Sequence, residues 1–363
     1  MSEVTPFRPN WISPPGETIA DLLEEASWSQ AEFAERMGTS RKFVNQLISG
    51  EASLTDETAV KLERVFGSSV RFWLAREAIY RAELAKQEEM RGLQEDVPWL
   101  REIPVSDMIA LGWVPKCYDK AEQVAECLKF FGVGSVSAWR QWSQSLAQTA
   151  YRMSPKAQQR LGATAAWLRY GEIEAKSLVV EPYDRGRFKA ALARLRSLTQ
   201  EPDPAVFLPA LRDICASAGV AVVLAPAPRG CPASGATRWL SPSKALMMLS
   251  LRYKTNDQLW FSIFHEAAHI LLHGKRMMFL EVENGMDADA EREADAFAAD
   301  ALIPREFVPR LAALGANKEK VRRFARELGI APGIVVGRLQ KEGYIPWSHL
   351  NGLKVRYSWA GDC

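Results

Sequence analysis

The stretch Phe261–His273, FSIFHEAAHILLH, decides how this chain is read. It holds three of the chain's four histidines, His265, His269 and His273, and it contains His-Glu-x-x-His. Residues four apart on a helix lie one above the other on the same face. His265 and His269 can therefore put two imidazole nitrogens on one cation, with Glu266 beside the open coordination position. Two nitrogen ligands, a third ligand from elsewhere and a carboxylate to take a proton from water are what a zinc hydrolase needs. The neighbours Phe261, Ile263, Phe264, Ala267, Ala268, Ile270, Leu271 and Leu272 are apolar, and unpartnered polar groups in a buried helix are costly. His273, eight residues beyond His265, would lie roughly 12 Å along the axis, too far to share the ion. With Gly274 as the expected C-cap, His273 reads as a helix-end residue.

The third ligand is expected from the acidic stretch between Glu281 and Asp300, whose alanine-rich part, AEREADAFAA at 290–299, suits a helix. Two glutamates compete there. Glu291 shares its face with Asp295 and Ala298, neighbours that leave room for an ion, whereas Glu293 shares its face with Phe297, which suits core packing. Glu291 and Asp295 also make a chemical pair. One carboxylate binds the metal, and the other, a turn along, accepts the N–H of a ligand histidine and fixes its tautomer.

The two segments FHEAAHILLH and EREADAFAADALIP together resemble the ImmA/IrrE family of zinc metallopeptidases, over about residues 200–340. The resemblance implies zinc held by His265, His269 and Glu291, with Glu266 as general base. It also implies proteolysis of a partner repressor, antitoxin or toxin protein. In that family a small sheet precedes the catalytic helix, and an extended substrate could add to it as a strand. Gly235 and Ala236 are marked on that ground as substrate-side candidates.

At 363 residues the chain exceeds the roughly 250–300 at which a single core stops growing, so two or more domains are expected. The 47% hydrophobic and 25% charged content is ordinary for a globular protein. No apolar run reaches the roughly 18 residues of a membrane helix, and the N-terminus lacks a signal-peptide layout. Five scattered cysteines, Cys117, Cys127, Cys215, Cys231 and Cys363, never spaced Cys-x-x-Cys, argue against a disulfide framework and a zinc ribbon and point to a reduced cytoplasm. The net charge of +2 says nothing strong about partners.

Residues 1–15 read as an extended, proline-rich arm. Helices follow over 17–26, 30–37, 41–48, 54–66 and 70–80, with Ser29 and Glu32 forming a capping box. The run SQAEFAERMGTSRKFVNQLISGEASLT resembles XRE-type helix-turn-helix domains, closely the HigA-type antitoxin subset. The glycine makes the inter-helix turn, and the next helix is free to enter the major groove. Carried over by position, Ser40, Arg41, Lys42, Asn45 and Gln46 face the groove, and Gln30 contacts phosphate. Arg and Lys suit guanine edges, and Asn and Gln suit adenine. Phe43 meets a thymine methyl or is packed. Between Ser29 and Trp73, Lys/Arg at 36, 41, 42, 61, 64 and 71 balance Asp/Glu at 32, 35, 51, 56, 57 and 63. The overall electrostatic footprint is therefore weak, although Arg41 and Lys42 stand where the groove would be. Such domains usually dimerise on a palindromic operator of double-stranded DNA.

Residues 81–100 read as a charged helical connector and 101–200 as helical throughout, with Trp113, Trp139, Trp142 and Trp167 as packing anchors. A helix begins at Asp203. Strands are expected over 220–224 and 245–251, with 230–240 as an edge strand or loop. The 321–339 run resembles another helix-turn-helix but is read as scaffold. The expected fold class is thus multidomain and mainly α with a small β-sheet. An all-α helix-turn-helix domain (1–80) is followed by a helical connector (81–200), an α+β zincin-like domain (201–310) and a helical tail (311–363). The expected function is a DNA-binding transcriptional regulator carrying a zinc endopeptidase. The competing reading is an antitoxin-like repressor whose peptidase-like domain only senses or binds a partner. His349 and Tyr344 are available to stabilise an oxyanion, but nothing in the sequence ties them to the site.

Overall fold

Hydroxyl side chains and glycines punctuate the first part of the chain, and each helix boundary follows from one of them. In the computed structural model, which describes residues 13–150, 155–274, 279–281 and 288–359, five helices come first: α1 (Pro15–Glu25), α2 (Gln30–Met37), α3 (Arg41–Ile48), α4 (Asp56–Phe66) and α5 (Val70–Leu93). Residues 1–12 of the expected arm lie outside the described residues. The side chains of Ser29, Ser40, Thr55 and Ser69 each accept a backbone N–H from the first turn of α2, α3, α4 and α5. Such N-caps satisfy donors that the helix itself cannot. The Thr55 cap moves the start of α4 from the expected Leu54 to Asp56. Half of the expected capping box forms: Ser29 accepts from Glu32 N at 3.2 Å, but the Glu32 carboxylate turns to Arg36, 2.9 Å away. α5 passes the expected end at Tyr80, because no glycine or proline interrupts it before Gly92. Ile19, Phe33, Val44, Leu47, Leu62 and Trp73 close the core of these helices.

The chain divides into two compact units, Met1–Val97 with Lys120–Glu122, and Pro98–Asp119 with Gln123–Cys363. The stretch expected as a connector is thus largely part of the second unit. It holds α6 (Val105–Ala110), α7 (Lys120–Phe131), α8 (Val136–Ala150) and α9 (Pro155–Ser177). α10 (Arg185–Leu198) and α11 (Pro204–Ala216) follow, then β1 (Val220–Leu224), β2 (Gly235–Ser241), β3 (Lys244–Leu249) and α12 (Asn256–Leu272). β4 (Phe279–Glu281), α13 (Ala288–Leu302), α14 (Val308–Leu311), α15 (Lys318–Leu328) and α16 (Pro332–Lys341) complete the described elements.

The strands form one sheet in the order β1-β3-β2-β4, with β1 parallel to β3 and the other pairs antiparallel. Both faces are covered, so β1 and most of β3 read as continuous apolar runs. Val220, Val222, Ala245, Met247 and Leu249 join Phe188 of α10, Phe207 of α11 and Trp260, Ile263 and Phe264 of α12 in one core. Ala221, Val223, Ala236, Leu246 and Met248 face Trp167, Leu168 and Ala175 of α9 in another. The segment expected as an edge strand or loop is instead the interior strand β2. Gly235 pairs with both Leu249 and Glu281, and Ala236 with both Met248 and Leu280. β3 ends at Leu249 rather than the expected Leu251, whose φ is +56°.

α12 is held at both ends. At its start, Asn256 accepts Val355 N at 3.0 Å and donates its own N–H to Val355 O at 2.9 Å, beside a Thr255–Arg356 bridge. Asp257 pairs with Lys354 at 2.7 Å, with side-chain exposures of 4% and 8%. At its end, Arg185 Nε donates to Leu271 O at 3.1 Å and Tyr183 OH to Ile270 O at 3.4 Å. Arg196 does the same for α13, donating to Leu302 O at 3.1 Å. Cations and donors at helix C-termini satisfy the last carbonyls and suit the helix dipole. α16 is largely buried and packs on α12, and Val321, Phe324, Ile334, Val335 and Val336 of the 321–339 region join the same core.

Candidate metal centre and helix-turn-helix surface

Because α12 is apolar on nearly every side, its polar residues are buried with it: His265 and His269 are almost wholly inaccessible and Glu266 is fully so. The structure brings His265, His269 and Glu291 together, their nearest ligand atoms all within 4.8 Å of one another. The two Nε2 atoms lie 3.0 Å apart, His265 Nε2 is 3.1 Å from Glu291 Oε2, and His269 Nε2 is 3.6 Å from Glu291 Oε1. A tetrahedral ion with ligand bonds of about 2.0–2.2 Å separates its ligand atoms by roughly 3.3–3.5 Å, and the three spacings bracket that value. The donor set of two imidazoles and one carboxylate also suits zinc. His265 Nδ1 lies 3.0 Å from Asp295 Oδ1. An ionised carboxylate only accepts, so Nδ1 carries the proton and the Nε2 lone pair turns to the cluster. Burial, with His265 and then His273 beside it, pushes the pKa of His269 down to about 2. Its ring is neutral, as a ligand must be.

Glu293, the rival third ligand, stands elsewhere. Its side chain is 60% exposed and meets His273 at 3.4 Å, while Glu291 faces both α12 histidines. The helix stops at Leu272, so His273 itself is the C-cap, in an extended conformation, in place of the expected Gly274. One turn beyond His269 on the same face, its Nδ1 lies 3.0 Å from His269 Nδ1.

Two residues of β2, Thr237 and Gly235, stand against Glu266. Thr237 donates its hydroxyl to Glu266 Oε2 and lies 3.2 Å from Glu266 O. Gly235, two residues before it, points the same way, and a Cβ there would collide with the Glu266 carboxylate. The alternation of a strand puts positions 235 and 237 on the α12 face and Ala236 on the opposite one. The substrate strand expected at Gly235 and Ala236 has no place there, because both already have ladder partners on each side. Among the described residues the free edge on that flank is β4. The signal available in the sequence was the Gly-x-Thr spacing on a strand next to a helix carrying a buried glutamate. His349 lies on the exposed turn beyond α16 and Tyr344 is 43% exposed; neither belongs to the metal-ligand cluster.

In the N-terminal unit, Gly38 adopts φ +62° between α2 and α3, a left-handed turn that glycine makes at no steric cost. Ser40, Arg41, Lys42 and Asn45 are exposed on one side of α3, Gln46 and Gln30 are half-buried, and Val44 and Leu47 are core. The Ser40 oxygen already accepts Phe43 N at 3.1 Å. Phe43 packs against the core, which decides its open reading in favour of packing.

Residues 19–73 match the family model of a helix-turn-helix, and residues 234–340 that of the IrrE N-terminal-like domain. The chain joins an XRE-type helix-turn-helix to an IrrE-like, metallopeptidase-like domain. An uncharacterised HTH-type transcriptional regulator of Escherichia coli (strain K12), YddM, is 42% identical over 60 residues, 16% of this chain. The match spans 64% of that regulator's length. Among solved structures, a protein from Nostoc punctiforme PCC 73102 described as an antidote of a plasmid maintenance system is 30% identical. That likeness covers 23% of this chain and 94% of that one, at a TM-score of 0.22. An addiction module antidote protein of the HigA family from Coxiella burnetii is 24% identical, covering 22% and 89%, at a TM-score of 0.21. Among the described residues no helix is long and apolar enough to cross a membrane.

Proposed function

We propose that this IrrE-like domain is a zinc-dependent endopeptidase within a DNA-binding cytoplasmic regulator, and that it cuts a repressor, antitoxin or toxin protein partner. The observation that carries the reading is the convergence of His265, His269 and Glu291 beside a buried Glu266 on the same helix. Zinc, when bound, would supply Lewis-acid polarisation of the scissile carbonyl and acidify a water. Glu266 takes the proton of the attacking water on one carboxylate oxygen and passes it to the leaving amine, while Thr237 holds the other oxygen. Asp295 holds the His265 ring in the tautomer that presents Nε2. The apolar frame of α12 keeps bulk water from these groups.

For the N-terminal unit we infer major-groove recognition by the exposed face of α3, with Arg41, Lys42, Asn45 and Gln46 toward base edges, Ser40 at the helix start and Gln30 toward phosphate. Two copies on a palindromic site follow from the same reading. Metal content of the purified chain tests the peptidase reading. About one zinc per chain, lost in Glu291→Ala and kept in Glu293→Ala, supports the site. A chain that takes up no zinc even when it is supplied overturns it. Glu266→Gln should then keep its zinc and lose cleavage of the partner; regulation that survives in that variant would instead favour a sensing domain.

A further inference from the structure

We propose that His273 and Glu293 form a positioning relay for the zinc ligand His269; the proposal rests on the metal reading above. A ligand histidine needs an acceptor at its second nitrogen, which fixes both the tautomer and the ring plane. His265 has Asp295 in that place, 3.0 Å from Nδ1. At His269 the Nδ1 neighbour, also 3.0 Å away, is His273 Nδ1. Helical spacing makes this contact possible, since residues four apart share a face. Leu272 is the last helical residue, but the His273 N–H still bonds His269 O at 3.2 Å. The two ring centroids lie 5.0 Å apart. Its side chain is only 12% exposed, so it is packed in place.

The proton positions follow in sequence. His269 must keep the Nε2 lone pair toward the ion, so its Nδ1 carries hydrogen and donates. His273 Nδ1 must then accept, which puts the His273 proton on Nε2. That nitrogen faces Glu293 Oε2 at 3.4 Å, and a carboxylate can only accept. Donation runs from His269 through His273 to Glu293. The acids at 291, 293 and 295 of α13 thereby serve three ends: Glu291 faces the ion, Asp295 braces His265, and Glu293 braces His269 through His273.

The test is zinc affinity of the full chain, read by competition with a chromophoric chelator, with apo-protein thermal unfolding measured in parallel. Loss of an outer partner typically weakens metal binding about 10–100-fold, and His273→Ala should fall in that range with its apo unfolding unchanged. His273→Asn, whose Oδ1 can replace the Nδ1 acceptor, should recover most of the affinity. Glu293→Ala should show a smaller loss than His273→Ala, and Glu293→Gln, which still accepts, should lie near wild type. Wild-type affinity in His273→Ala, or a His273→Asn variant as weak as His273→Ala, would overturn the relay while leaving the metal centre standing. A wild-type chain that binds no zinc would defeat the metal reading and the relay with it.

Discussion

Replacing Lys354 by Met should destabilise the second unit far more than the loss of a surface ion pair would. Lys354 Nζ lies 2.7 Å from Asp257 Oδ2, with side chains 8% and 4% exposed, and it also donates to Gln340 Oε1 at 2.8 Å. Removing one partner of a buried pair strands the other charge, at a cost of about 3–5 kcal/mol. Each kcal/mol lowers the midpoint of a domain of some 150–250 residues by roughly 2–4 °C, so the expected drop is about 6–20 °C. Asp257 opens α12 and a Cβ at Gly337 would collide with its carboxylate, so the site offers no room for water to solvate the orphan. Calorimetry of Lys354→Met, Asp257→Asn and the double variant reads the effect. The double variant, which buries no unpaired charge, should regain a large part of the loss. A drop in Lys354→Met within the value of a surface pair, under about 1 kcal/mol, would refute the claim that this pair anchors α12.

Gly235→Ala should leave zinc content unchanged, because no ligand touches that position, yet cut peptidase activity by about the 10²–10⁴-fold that a general base supplies; equal activity would show that Glu266 tolerates the added Cβ. Asp107 is part-buried, which raises its pKa, but hydrogen bonds and charge from Arg229 outweigh burial and the net shift is downward. A depressed carboxylate stabilises above its unfolded pKa near 3.8 and loses that contribution as pH falls through the folded value. The stability gap between wild type and Asp107→Asn should accordingly be present at pH 7 and close below pH 3.8 in urea titrations. Lys42→Ala should weaken operator binding by about 1–3 kcal/mol and relax discrimination at one base position, as read by fluorescence anisotropy on operators with single base-pair changes; equal weakening on every sequence would place Lys42 on phosphate instead.

What could be read from the sequence depended on how local the controlling interaction is. His-Glu-x-x-His needs only helical spacing, and the cap at Ser29 needs only three residues. The α2–turn–α3 unit was legible for the same reason. The interior position of β2 was not, because β1 pairs directly with β3, which follows β2 in sequence, and β2's outer neighbour is the three-residue β4. The helices after Ile103 showed their tryptophans as packing residues. That α9 covers a sheet face depends on side chains from β1, β2 and β3 meeting Trp167, a long-range fact that no local periodicity carries. The role of Gly235 was misread for a related reason: a small residue on a strand invites a ligand or a close neighbour equally, and here the neighbour is Glu266.

His273 shows how a termination signal and a site can be the same residue. Four residues beyond His269, the His273 ring lies on the same helical face and reaches His269 Nδ1, while the chain after it leaves the helix. The cap is supported from outside α12, by Arg185 and Tyr183 on its last carbonyls. Anything that loosens the last turn of α12 should loosen the His269 bracket without altering any metal ligand. The geometry of the centre therefore depends on how firmly that last turn is held as much as on the two histidines inside it. Arg185→Ala puts this to the test: zinc affinity should fall in step with loss of the His269–His273 contact, even though Arg185 touches neither ring and donates only to Leu271 O.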